Sequence, residues 1–146
     1  MKIRLLSDLH HEFMTGKQEK AQPYFEYRGE DVLVLAGDIA SGSTNVMDTI
    51  KRFKAAGFPE VIYVPGNHEY YGTSIRDFNA KMALKASQDD AVHFMNPGCT
   101  IINDVVFIGA PLWTNFRGDI HAKLAAKSMI TDFRRIDGFH TDHAES

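Results

Sequence analysis

A single cysteine, Cys99, in 146 residues leaves no partner for an internal disulfide, so the expected compartment is a reducing cytoplasm. Basic side chains are not in excess: sixteen Lys and Arg stand against nineteen Asp and Glu, a net charge of −3. A general polyanion binder needs the opposite balance to neutralise phosphates, and nucleic acid is therefore not indicated as a partner. Long apolar runs are missing as well. The longest, such as residues 32–36 (VLVLA), fall far short of what a bilayer span requires, and no membrane association is expected. The N-terminal MKIRLLSDLHH carries Lys2 and Arg4, but its apolar stretch is too short for a secretion signal. Five prolines and eleven glycines exclude collagen-like and low-complexity classes.

What is present is a composition that folds. Hydrophobic residues make up 44% of the chain and aromatics 11%, which excludes disorder. Residues 1–146 read as one domain, with no internal repeat and no linker. Short apolar runs at residues 2–7, 31–37 and 61–64 read as strands, the second nearly continuous Val and Leu as in a strand buried on both faces. Residues 11–30 read as a long irregular loop. Helices are expected over residues 45–56, closed by Gly57 and Pro59, over residues 74–85, and from an Asp119 cap to about residue 129. Between the last two, the β-type runs 92–95, 100–102 and 105–108 are separated by turn residues, which predicts an antiparallel meander. The early strand–helix alternation predicts a largely parallel α/β sheet.

Polar clusters follow each of the three best strands: Asp8-Leu9-His10, Gly37-Asp38 and Gly66-Asn67-His68-Glu69. Ligands in open α/β sheets bind at the carboxyl ends of strands, so these loops are expected to converge. Each cluster alone reads first as a turn or a helix cap. Together, at spacings of 30 and 29 residues between Asp8, Asp38 and Asn67, they read as a metal site. Two carboxylates, a carboxamide and two imidazoles form a mixed oxygen and nitrogen set suited to Mn, Fe or Zn. Asp38 ends a buried strand, where an unpaired carboxylate is costly and a metal removes the cost. Gly37 and Gly66 leave room for a close backbone approach.

These motifs, in this order on these strands, resemble the calcineurin-like metallophosphoesterases. Residues 109–116 (GAPLWTNF) and 128–136 (SMITDFRRI) are similar to stretches of a bacterial and phage branch of that family. The resemblance implies a four-layer αββα sandwich and metal-dependent hydrolysis of phosphate esters, mono- or diesters, at a dinuclear site. It implies that Asp8 and His10 hold one divalent ion, that Asp38 bridges two, that Asn67 holds the second, and that His68 serves the leaving group as general acid. Glu69 or another carboxylate is expected to orient the His68 ring. The implied substrate is a phosphate-ester small molecule or a nucleotide.

The chain also departs from that family. Three further histidines that the resemblance implies, one alone and two in a G-H-x-H, have no counterpart here, and the C-terminal part of the domain is expected to be missing or incomplete. His140 and His143 are candidate substitute ligands by their spacing, in a segment that otherwise reads as a solvated tail. Trp113 and Asn115 are candidates for a substrate pocket, Tyr70 and Tyr71 for packing over the site. Arg134 and Arg135 read as phosphate grips or surface ion pairs. His93 and His121 read as structural or solvent-facing, and Cys99 as a small buried residue. The alternatives to an active phosphoesterase are a catalytically impaired member of the fold acting as a binding module, or a chain completed by a partner or second copy that covers an open sheet edge.

Overall fold

The structure is a computed structural model that describes residues 1–15, 17–18 and 22–139. Four short strands form a parallel sheet in the order β1 (Ile3–Leu6), β2 (Val32–Ala36), β3 (Glu60–Val64) and β4 (Val92–Phe94). Helix α1 (Ser43–Ala56) links β2 to β3, and α2 (Ile75–Ala86) links β3 to β4. Gly57 ends α1 in the left-handed conformation at φ 114°, and its N–H closes on the carbonyls of Lys54 and Phe53. Ser74 caps α2 by accepting from the Asp77 N–H.

The Val/Leu-rich strands are two-faced because two different layers cover them. Leu33, Leu35, Val61 and Tyr63 pack with Val46, Ile50 and Phe53 of α1 and Phe78 and Met82 of α2 in the main core. Alternate residues Val32 and Ile62, with Val34 and Val64, pack on the other side with Met95, Ile102 and Phe107. Ile102 and Phe107 come from an antiparallel hairpin of β5 (Gly98–Ile102) and β6 (Val105–Gly109). Asn103 and Asp104 join its strands at φ 49° and 61°, the pair of left-handed residues that a two-residue hairpin turn demands. Helices, parallel sheet and second sheet stack in that order, which bears out the expected α/β fold class. Two short helices follow, α3 (Ile120–Met129) capped by Asp119, as expected, and α4 (Asp132–Arg135).

The expected three-stranded meander is corrected. Residues 92–94 form β4 of the main sheet, parallel to β3, and only β5 and β6 pair antiparallel. The α2 crossover returns the chain to the starting end of β3, so the next strand must run alongside it; Met95 N–H to Tyr63 O at 2.9 Å extends that ladder. Cys99 is likewise not buried but exposed on the hairpin, and Ile101, Val106 and Ile108 are exposed with it. At the other edge, Ile3 and Leu5 of β1 are exposed, and among the described residues no further strand pairs with β1 or β4. No helix is long and apolar enough to cross a membrane among the described residues.

Candidate metal centre

The loops after β1, β2 and β3 meet, as their sequence positions predict, because the backbone continues to pair beyond the strands. Asp8 N–H donates to Gly37 O, His10 N–H to Asp38 O and His11 N–H to Ile39 O, each at 3.0 Å. Asp8, His10 and Asp38 all adopt left-handed backbone, with φ of 54°, 48° and 56°. Non-glycine residues hold such conformations at a cost of about 1 kcal/mol or more each, and they concentrate where a side chain must be aimed. Gly66 permits the contact between the loops: a Cβ there would stand 2.3 Å from Asp38 Oδ1 and 2.7 Å from Asp38 N.

Glu69 locks this crossing. Its side chain is buried, Oε2 accepts from Asp38 N–H at 3.0 Å and Gly66 N–H at 2.8 Å, and Oε1 accepts from Ile39 N–H at 2.8 Å. Burial pushes its carboxyl up to about 7; backbone N–H donors pull against that rise, and the nearby Asp38 charge adds to it. Of the two alternatives expected to orient His68, Glu69 or another carboxylate, it is therefore the second that the structure shows. That place is taken by Glu12, whose Oε1 lies 2.9 Å from His68 Nδ1 and 3.4 Å from His10 Nδ1. Burial works against the Glu12 charge, but hydrogen bonds from His68, its own backbone and His10 hold its carboxyl below the ordinary value of 4.5.

His10, Asp38 and His68 each offer a ligand atom within 4.8 Å of the others. Asp8 stands at the rim, its side chain 69% exposed and its Oδ1 4.0 Å from His10 Nε2. The second ring nitrogen of His10 thus faces Glu12 while the first faces Asp8, the arrangement in which a carboxylate fixes the ring of a metal-ligating histidine. The donor set fits a divalent ion of the Mn, Fe or Zn type. Asn67 precedes His68 in the loop after β3. Its amide nitrogen donates to Asp132 Oδ1 at 2.8 Å and to the Tyr71 hydroxyl at 3.1 Å.

The remaining candidates divide. Tyr71 packs against His68 with ring centroids 4.4 Å apart, whereas Tyr70 is fully buried in the core. Trp113 lines a cavity of about 230 Å³ beside Gly66, Asn67 and Asp132. Asn115 does not line it; its side-chain oxygen accepts from Arg117 N–H and caps a turn. Arg135 lies over the Tyr71 ring, 4.9 Å from its centroid, and among the described residues it has no ion pair. His93 bridges Glu60 and Thr100, a structural role as expected. His140 and His143 lie outside the described residues.

Sequence reasoning missed Glu12 and Asp132. Glu12 left a local signal, a carboxylate two positions after His10 in D-x-H-x-E. Asp132 lies in the stretch SMITDFRRI, but nothing local links it to an amide 65 residues away.

A parallel sheet flanked by helices and a second sheet, with a histidine–carboxylate cluster at its strand ends, defines a class that comparison with known proteins makes specific. Residues 1–140 match the profile of the calcineurin-like phosphoesterases, and the chain belongs to that family. It is 34% identical to an uncharacterized protein of Acanthamoeba polyphaga mimivirus, over 77% of this chain and 44% of the viral protein. It also resembles the crystal structure of a phosphopantetheinyl hydrolase from Mycobacterium tuberculosis, with a TM-score of 0.68 and 17% identity, over 94% of this chain and 56% of the hydrolase. At that identity the likeness shows the shared metallophosphoesterase-type fold. The chain spans about half the length of these two proteins.

Proposed function

We propose that the centre at the ends of β1, β2 and β3 serves metal-dependent hydrolysis of phosphate esters. The observation that carries this reading is the convergence of His10, Asp38 and His68 within 4.8 Å, with Glu12 behind both imidazoles. In this reading Asp8, His10, Asp38 and Asn67 are the residues that would hold two divalent ions. Ions bound there supply Lewis-acid polarisation of the phosphoryl group and activate water near neutral pH.

The chain's own residues do the rest. Asn67, being neutral, provides a ligand oxygen without adding charge that repels a phosphate. Glu12 accepts the Nδ1 proton of His68, which leaves Nε2 as the atom that delivers a proton to the departing alkoxide. Tyr71 against one face of His68 restricts the ring. A fixed ring is what general acid catalysis needs, because proton transfer depends on holding the acid within hydrogen-bond reach of the leaving oxygen.

A second reading, a member of the fold that binds without turning over, is favoured by one observation. The other histidines with described ring hydrogen bonds are engaged elsewhere, His11 with Thr49 and Tyr24 and His93 with Glu60 and Thr100. Hydrolysis of an aryl phosphodiester in Mn(II) separates the two. Turnover that is lost in His68→Ala and Asp38→Asn supports the esterase; no turnover by a metal-loaded wild-type protein supports the binding module.

A further inference from the structure

The Asn67 amide, a ligand in the proposed reading, has two orientations, and only one would present its oxygen to an ion. The structure holds that choice through residues far downstream. Asp132 Oδ1 accepts from Asn67 Nδ2 at 2.8 Å and from the Tyr71 hydroxyl at 2.8 Å. Having given its proton to Asp132, the Tyr71 hydroxyl offers Asn67 Nδ2 a lone pair, at 3.1 Å. Both neighbours of the amide therefore accept, and both require its NH2 group. A flipped amide would set its oxygen against a carboxylate oxygen and lose two hydrogen bonds. Asn67 Oδ1 has no hydrogen bond among the described residues.

The segment that carries Asp132 is anchored without it. Ile136 is buried in the main core, Gly72 N–H donates to Arg135 O at 2.8 Å, and Asp137 N–H donates to Thr73 O at 3.0 Å. Arg135 lies over the Tyr71 ring. This short strap grips the turn just after the G-N-H-E motif and delivers one carboxylate to Asn67.

We infer that Asp132 is a positioning residue: with Tyr71 it locks the Asn67 carboxamide so that Oδ1 is presented for metal binding. The inference rests on the proposed metal centre and adds to it a residue with no place in the strand-end motifs. Because the strap has its own anchors, removing the Asp132 side chain frees the amide while leaving the fold in place.

The test uses the full chain labelled with 15N. The side-chain amide signals of Asn67, assigned by their loss in Asn67→Ala, are followed in the metal-free protein, and Zn(II) binding is followed by calorimetry. In the wild type the two amide protons should be well dispersed and slow to exchange. Asp132→Ala should move them toward free-asparagine positions and weaken binding of the second ion by about tenfold or more. Asp132→Asn keeps an acceptor oxygen and should restore most of both. Tyr71→Phe keeps the ring under Arg135 and should give an intermediate loss, which preserves the test if Asp132→Ala folds poorly. Unchanged amide signals and unchanged Zn(II) affinity in Asp132→Ala and Tyr71→Phe would overturn the inference while leaving the metal centre intact. A wild-type protein that takes up no Zn(II) would overturn the metal centre itself, and with it the presentation of Oδ1.

Discussion

The carboxylate of Glu12 stands 2.9 Å from Nδ1 of His68, a contact that joins the loop after β1 to the loop after β3. The same oxygen lies 3.4 Å from His10 Nδ1, so one side chain fixes both imidazoles of the cluster. Glu12→Ala should therefore lower turnover and metal affinity together, by about 10–100-fold for metal affinity. Glu12→Gln, which keeps an acceptor, should lose less. Turnover assays and metal titration on the three proteins check this; an Ala variant with wild-type values would remove Glu12 from the site.

Gly66 lies where any side chain would enter the space of Asp38. A Cβ at 2.3 Å from Asp38 Oδ1 and 2.7 Å from its backbone nitrogen cannot be accommodated by a rotamer change alone. Gly66→Ala should destabilise the protein by about 1–3 kcal/mol and weaken metal uptake with it. Urea denaturation and metal analysis of the same variant test both halves of that expectation.

Glu69 gives the metal-free protein a pH dependence of definite sign. Its carboxyl is raised by burial from an ordinary value of 4.5 to about 7, so the folded chain holds the proton more tightly than the unfolded one. The contribution of Glu69 to stability is then greatest below about 4.5 and falls as pH rises toward about 7, by an amount on the order of a few kcal/mol. Glu69→Gln should flatten that fall relative to the wild type. Denaturation midpoints across pH 4.5 to 7.5 measure it, and parallel curves for the two proteins would contradict the assignment.

The left-handed backbone at Asp8 predicts a trade between stability and function. Its φ is 54° and its side chain is 69% exposed, so the residue contributes little packing while carrying backbone strain. Asp8→Gly should leave the metal-free melting temperature unchanged or slightly higher, yet reduce metal binding. A variant that loses stability and keeps its metal affinity would reverse that account.

Much of this could be read along the chain because the signals were local. Continuous Val and Leu in β2, the Asp119 cap and Gly57 marked elements within one or two residues of where they lie. Asp38, His10 and His68 were legible for a similar reason: polar residues directly after buried strands converge whenever the strands are neighbours in a parallel sheet. What was not legible depends on contacts across the sequence. Glu69 sits beside His68 in the chain but turns inward to three backbone N–H groups, leaving Glu12, 56 residues earlier, to orient the ring. Residues 92–94 have the composition of a hairpin strand, and only the crossover before them decides that they pair parallel to β3. Cys99 alternates outward on β5, and nothing in its local sequence tells which face of the hairpin is covered.

In the proposed metal centre at the strand ends, Asp38 is the residue on which both ions depend. Equilibrium dialysis against Mn(II), followed by elemental analysis, tests it most directly. Two ions should be retained per wild-type chain, with a marked loss in Asp38→Asn and the fold preserved. A wild-type protein that retains none, or an Asp38→Asn protein that retains as much, would contradict it.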